Sequence, residues 1–131
     1  MSENCRWLDK QALLSLHEES IAHFGGSPGL RELGMLESAM ARPQNLLAYE
    51  PQTTLFQLAA AYGFGLAKNH AFVDGNKRVA FLAIGVFLAI NGWRLRAEPL
   101  NAITTVLSLA AGNLSEKELA DWIQRNSQQR Q

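Results

Sequence analysis

Residues 68–90 read KNHAFVDGNKRVAFLAIGVFLAI. A histidine, an Asp74-Gly75 turn and an Asn76-Lys77-Arg78 triplet stand directly before twelve consecutive apolar residues, Val79 to Ile90. That run is too short for a bilayer, which needs roughly 20 apolar residues. A helix apolar on every side belongs instead at the centre of a bundle. The polar cluster then occupies its N-terminus, where N–H groups lack intrahelical partners and the macrodipole favours negative charge. Two cations in a first turn are mildly unfavourable in themselves. They make sense against a strongly anionic ligand such as a polyphosphate.

Outward from this segment the signals are helical. Asp9 is placed to cap a first helix to about Phe24, with Ala12, Leu13, Leu16, Ile21 and Phe24 as its apolar stripe. A Gly- and Pro-rich loop follows, and then a short helix near Leu33–Ala41 that should stop before Pro43. Residues 44–51 read as an irregular connection. Thr53 or Thr54 caps a third helix to Asn69, and Gly92 ends the fourth. Trp93–Ala97 reads as extended, Pro99 opens a fifth helix, and Ser115 with Glu118 forms a capping box for the last. The tail SQQRQ reads as disordered. The expected fold is all-α: about six helices around a buried central helix, in one domain over residues 1–131 that is ordered from about 8 to 126.

The chain has 131 residues, 47% of them hydrophobic, enough for one core without staples. Twelve acidic and twelve basic side chains cancel, so no global field draws it to nucleic acid or an anionic membrane. Any anion site must be local. The single cysteine, Cys5, excludes an internal disulfide and suits a reducing compartment. The charged start MSENCRWLDK has no leader-like apolar run. A cytoplasmic protein without membrane or direct nucleic-acid partners is the expectation.

The cluster also reads as chemistry. Arg78 can hold phosphate through a bidentate fork and Lys77 as a point charge, with Gly75 and Asn76 completing a cradle. Asp74 is a hard oxygen ligand suited to Mg²⁺ beside phosphates. His70 can take a proton from an attacking hydroxyl. Other partial motifs fail: His17-Glu18 begins a zinc-protease pattern, but Ile21 stands where its second histidine belongs. No Gly-x-x-x-x-Gly-Lys-Ser/Thr loop exists either.

The pattern His-x-Phe-x-Asp-Gly-Asn-Lys-Arg, at His70, Phe72, Asp74, Gly75, Asn76, Lys77 and Arg78, resembles the Fic/Doc family, and within it the death-on-curing branch. His17, Gly25-Gly26, PGLRELGMLESA at 28–39, Pro43 and Tyr49-Glu50 extend the resemblance over roughly residues 8–126. It implies a helical fold with the motif on a loop entering a central helix. Fic enzymes move AMP from ATP to a target hydroxyl, using Gly-Asn-Gly-Arg and a second Arg. Here Lys77 replaces the second Gly and Phe81 the second Arg.

The death-on-curing branch shares the lysine. It implies ATP bound in reverse and γ-phosphate transferred to a threonine of elongation factor Tu, which arrests translation. Under this resemblance His70 is the base and Asp74 holds Mg²⁺. Gly75, Asn76, Lys77 and Arg78 bind the phosphates, with Lys77 and Arg78 also stabilising the transfer. The chain would be the toxin of a toxin–antitoxin pair, restrained by an antitoxin whose disordered tail folds into a groove. AMP transfer, and a catalytically silent helical binding protein, are the rival readings.

Overall fold

The computed structural model describes residues 5–130. The readings of residues 1–4 as a leaderless start and of Gln131 as part of the tail lie outside them. Six helices are present: α1 (Lys10–Phe24), α2 (Leu33–Tyr49), α3 (Leu55–Asn69), α4 (Asn76–Ile90), α5 (Pro99–Ala110) and α6 (Glu116–Arg125). Two short strands, β1 (Trp93–Leu95) and β2 (Ser127–Gln129), pair antiparallel with Trp93 opposite Gln129.

Two capping boxes are present: the one at Ser115 matches an expected box, and the one at Thr54 extends what was expected only as a cap at Thr53 or Thr54. Thr54 Oγ1 accepts from the Gln57 N–H while the Gln57 side chain accepts from the Thr54 N–H. Ser115 and Glu118 do the same for α6. Asp9 is the N-cap residue of α1, though its carboxylate accepts no capping bond.

α3 packs against α2, α4 and α6. Leu58–Gly63 and Gly65–Ala67 are all buried, because its small residues let neighbours approach closely. A Cβ on Gly65 would sit 3.3 Å from the Ala39 Cα of α2. The sequence puts α4 alone at the centre; α3 shares that place. α4 buries Val79, Ala80, Ala83, Ile84, Phe87 and Leu88, while Phe81 and Val86 are half-buried. One core joins Leu8 near the start of the described residues to Ile123 in α6.

Three local expectations are corrected. α2 runs through Pro43 to Tyr49 instead of stopping at Ala41. Leu36, Ala39, Met40, Pro43 and Leu47 form one buried stripe on α3, and this packing outweighs the roughly 3 kcal/mol penalty of an interior proline. In α1 the buried residues are Leu13, His17, Ser20 and Ile21, whereas Ala12 and Phe24 are exposed. The tail forms β2, since strand pairing uses main-chain groups that any side chain supplies. The Arg130 N–H and guanidinium then donate to the carbonyls of Gly92 and Ala89, tying this end of the chain to the end of α4.

Candidate active site

The motif loop joins α3 to α4 and is bracketed by two left-handed residues. His70, the C-cap of α3, has φ 50° and ψ 49°; Gly75, the N-cap of α4, has φ 76°. His70 is the one non-glycine residue of positive φ among the described residues. Such a conformation costs an L-residue roughly 1–2 kcal/mol and persists where surroundings over-determine it. Gly75 has little alternative, because a Cβ there would meet Ile21 Cδ1 at 3.2 Å and His17 Nε2 at 3.5 Å.

Three sets of contacts fix the loop. From α1, His17 is buried, with its ring stacked on Phe72 at 3.7 Å between centroids. Its Nε2 lies 2.7 Å from the Asp74 carbonyl. A carbonyl only accepts, so Nε2 carries the proton. Residues 27–32 form a strap alongside. The Val73 N–H donates to Gly29 O, and the Arg31 and Glu32 N–H groups donate to Ala71 O. The Arg31 guanidinium donates to His70 O. Within the loop, Asn76 closes a ring: its Oδ1 accepts from Phe72 N–H at 3.0 Å and its Nδ2 donates to Phe72 O at 2.9 Å.

The carboxylate of Asp74 accepts the Ser27 N–H on Oδ2 at 3.1 Å and the Gly75 N–H on Oδ1 at 2.8 Å. Those two bonds, Ser27's first, hold its carboxyl below the usual range, and Arg78 and His17 add to the effect. Arg78 leans on the C-terminal end of α1. Its Nη1 lies 3.1 Å from Gly25 O and 3.3 Å from Ser20 Oγ, and its guanidinium sits 5.3 Å from the centre of the Phe24 ring. The exposed Phe24 is therefore a platform for Arg78 and not a core residue.

A cavity of about 300 Å³ collects His70, Val73, Asp74, Gly75, Asn76, Lys77 and Arg78. Six of the seven motif residues thus border one space, while Phe72 is buried against His17. The first helical bond of α4 runs from Val79 N–H to Gly75 O. Among the described residues, no protein acceptor meets the N–H groups of Asn76, Lys77 or Arg78. Lys77 is exposed and makes no ion pair among them. The space can accept a multiply charged anion on three backbone N–H groups and a lysine, with an imidazole alongside. The Asn76 side chain is engaged with Phe72, so only its main-chain N–H is free to meet an anion there.

Asp74 also suits a divalent cation beside phosphates. Each carboxylate oxygen has one backbone donor and retains a lone pair. No group of three or more His, Cys, Asp or Glu residues gathers elsewhere among the described residues. Magnesium needs no such cage, since one carboxylate, substrate phosphates and waters suffice.

A family model described as Fic/DOC family matches residues 7–88, from the segment before α1 nearly to the end of α4. The chain belongs to the Fic/Doc family. It is 36% identical over 120 residues to "Protein kinase doc" of Escherichia phage P1, covering 92% of this chain and 94% of that protein. It is 44% identical over 93 residues to "Toxin Doc" of Mycolicibacterium smegmatis, covering 70% of this chain and 69% of the relative. No helix among the described residues is long and apolar enough to cross a membrane.

Family membership directs attention to residues that the motif alone does not single out. His17, rejected as part of a zinc pattern and otherwise named only as a point of the family resemblance, is a buried support of the loop. Its spacing was the available signal: Leu13, His17 and Ile21 recur every four residues on one face of α1. Ser27 acts through its main-chain N–H, which leaves no motif behind, and Arg31 falls within the PGLRELGMLESA stretch without a role having been assigned to it.

Proposed function

We propose that this protein is a Doc-type kinase, one domain over residues 1–131, that moves the γ-phosphate of ATP to a hydroxyl of a target protein. What carries the reading is the apposition of an exposed imidazole, His70, with the open N-terminus of α4 and Lys77 across one cavity of about 300 Å³. The naming of the two relatives as a kinase and a toxin supports it.

His70 takes the proton as the target oxygen attacks the γ-phosphorus in line. The bond to the bridging oxygen breaks and ADP leaves. The N–H groups of Asn76, Lys77 and Arg78, with the Lys77 ammonium, stabilise charge on the phosphoryl oxygens without reorganising. Arg78 is steadied by Ser20, Gly25 and Phe24, and its remaining guanidinium donors serve the phosphates. Gly75 allows the backbone to turn into the cradle, and the Asn76 side chain keeps the loop closed. Asp74 would hold Mg²⁺, which neutralises phosphate charge when bound.

The target is a threonine of elongation factor Tu, so the outcome is arrest of translation. Restraint comes from an antitoxin whose disordered tail folds on the toxin surface.

The test uses bacterial extract with ATP labelled on either the α- or the γ-phosphate, and His70→Asn protein as a blank. Label in a protein band from the γ position alone is expected, and none from the blank. Label from the α position would make the protein an AMP transferase.

A further inference from the structure

The peptide between Asp74 and Gly75 can lie in two senses, and a side chain outside the motif holds it in one. Gly75 has φ 76° and ψ 18°, close to the third residue of a type II turn, at about +80° and 0°. Turning that one peptide over gives the type I form, at about −90° and 0°, which a residue without Cβ adopts equally well. The peptide is trans, so its carbonyl and N–H point in opposite directions. In the observed sense the Asp74 carbonyl faces α1 and accepts from His17 Nε2 at 2.7 Å. The Gly75 N–H, pointing the other way, donates to Asp74 Oδ1 at 2.8 Å. Among the described residues no second donor reaches that carbonyl.

We infer that His17 is a positioning residue: it selects this sense of the Asp74–Gly75 peptide and so keeps a carbonyl oxygen away from the anion-binding end of α4. The inference deepens the reading above and rests on nucleotide binding at that end. His17 suits the task by its rigidity. It is 3% exposed, and its ring lies within 12° of parallel to Phe72, so Nε2 is held in one direction. Without a donor at position 17 the carbonyl would face α1 unpaired, which is costly. Turning the peptide over relieves that cost by sending the oxygen to the side where the N–H now lies. There it would stand against the Asp74 carboxylate, which would lose its Gly75 donor. It would also lie beside the Asn76, Lys77 and Arg78 N–H groups, where a negative oxygen opposes an anion as an N–H favours one.

Two substitutions separate the hydrogen bond from the ring. Glutamine carries an amide nitrogen the same number of bonds from Cβ as Nε2, whereas leucine has similar bulk and no donor. Both lose the stack on Phe72, so both should unfold at lower urea than wild type. Only His17→Leu should turn the peptide. Nuclear Overhauser spectra of the ligand-free full chain read this directly. The type II sense puts the Asp74 Hα proton against the Gly75 N–H, and the type I sense brings the two N–H protons together. Wild type and His17→Gln should show the first contact, and His17→Leu the second. By calorimetry Mg²⁺–ATP should bind His17→Leu about tenfold more weakly than His17→Gln, the factor that one hydrogen bond's contribution gives. Retention of the first contact in His17→Leu would overturn the inference, and so would equal ATP affinity of the two variants. If His17→Leu does not fold, His17→Asn, whose amide stops one bond short, takes its place with the same expectations. Wild-type protein that binds no Mg²⁺–ATP would remove the nucleotide reading and the part of the inference that rests on it, while the proton contacts would still decide what His17 does to the peptide.

Discussion

Arg31 donates to the carbonyl of His70 from two nitrogens, Nε at 3.0 Å and Nη2 at 2.6 Å. The residue proposed as base is thus held in its left-handed conformation by a side chain 39 positions earlier, outside the motif. Misplacing a catalytic group by about 1 Å can cost on the order of 100-fold in rate. Arg31→Ala should therefore lower kcat by about 10- to 100-fold with KM for ATP little changed. Steady-state transfer of γ-label measures both. A rise in KM with kcat intact would mean Arg31 serves nucleotide binding instead.

Asn76 and Lys77 are neighbours with separable roles. Asn76→Ala leaves the buried N–H and carbonyl of Phe72 without partners, at about 1–3 kcal/mol for each unsatisfied group. A total loss of about 2–6 kcal/mol is expected in urea unfolding. Lys77→Ala, at an exposed position, should stay within about 0.5 kcal/mol of wild type. It should weaken ATP by about tenfold, as a charge-assisted contact of about 1.4 kcal/mol would give. An Asn76→Ala protein as stable as wild type would refute the ring with Phe72.

Asp74 gives the loop an acid limit. Its carboxyl is held below its ordinary value of 3.8 by the N–H groups of Ser27 and Gly75. A depressed folded value means the bonds contribute fully above the ordinary value and are lost as pH falls through the lower, folded one. The melting temperature of wild type should exceed that of Asp74→Asn near neutrality, with the gap closing below about pH 3.8. A gap independent of pH between 2 and 7 would contradict this.

Tyr62 sets the alkaline limit. It is fully buried, its hydroxyl accepts the Leu8 N–H at 3.1 Å, and burial pushes its phenol up to about 12. The unfolded chain ionises near 10 while the folded one keeps its proton, so stability falls as pH rises between those values. Tyr62→Phe should flatten that decline. At neutral pH it should cost about 1–3 kcal/mol for the orphaned Leu8 N–H. Chemical unfolding at pH 7, 10 and 11 measures both effects.

The parts of the fold that side chains announce were legible. Ser115 with Glu118 caps its helix as expected, Thr54 is one of the two caps named for α3, and six of the seven motif residues border one cavity. Where main-chain groups carry the contact, the sequence is silent. The strap at 27–32 and the pairing of Ser127–Gln129 use N–H and carbonyl groups common to all residues. Pro43 misled because local propensity is weak beside a buried stripe, here the one that α2 lays on α3. Asn76 illustrates a third kind of silence. Its amide is suited alike to phosphate and to peptide, and only the fold reveals that Phe72 holds it.

The left-handed turn at position 70 bears on how this protein can lose activity. In the proposed mechanism two demands meet there, an imidazole and a backbone that tolerates positive φ. Alanine fails both, so an inactive alanine protein reports a missing base and a displaced corner together. Asparagine visits the left-handed region readily but accepts no proton at neutral pH, which separates the demands. The same reasoning narrows the neutral drift open to the gene. An inactive copy that keeps its shape, and so still occupies whatever restrains the active form, is one substitution away at this codon, and few other substitutions there would preserve the corner.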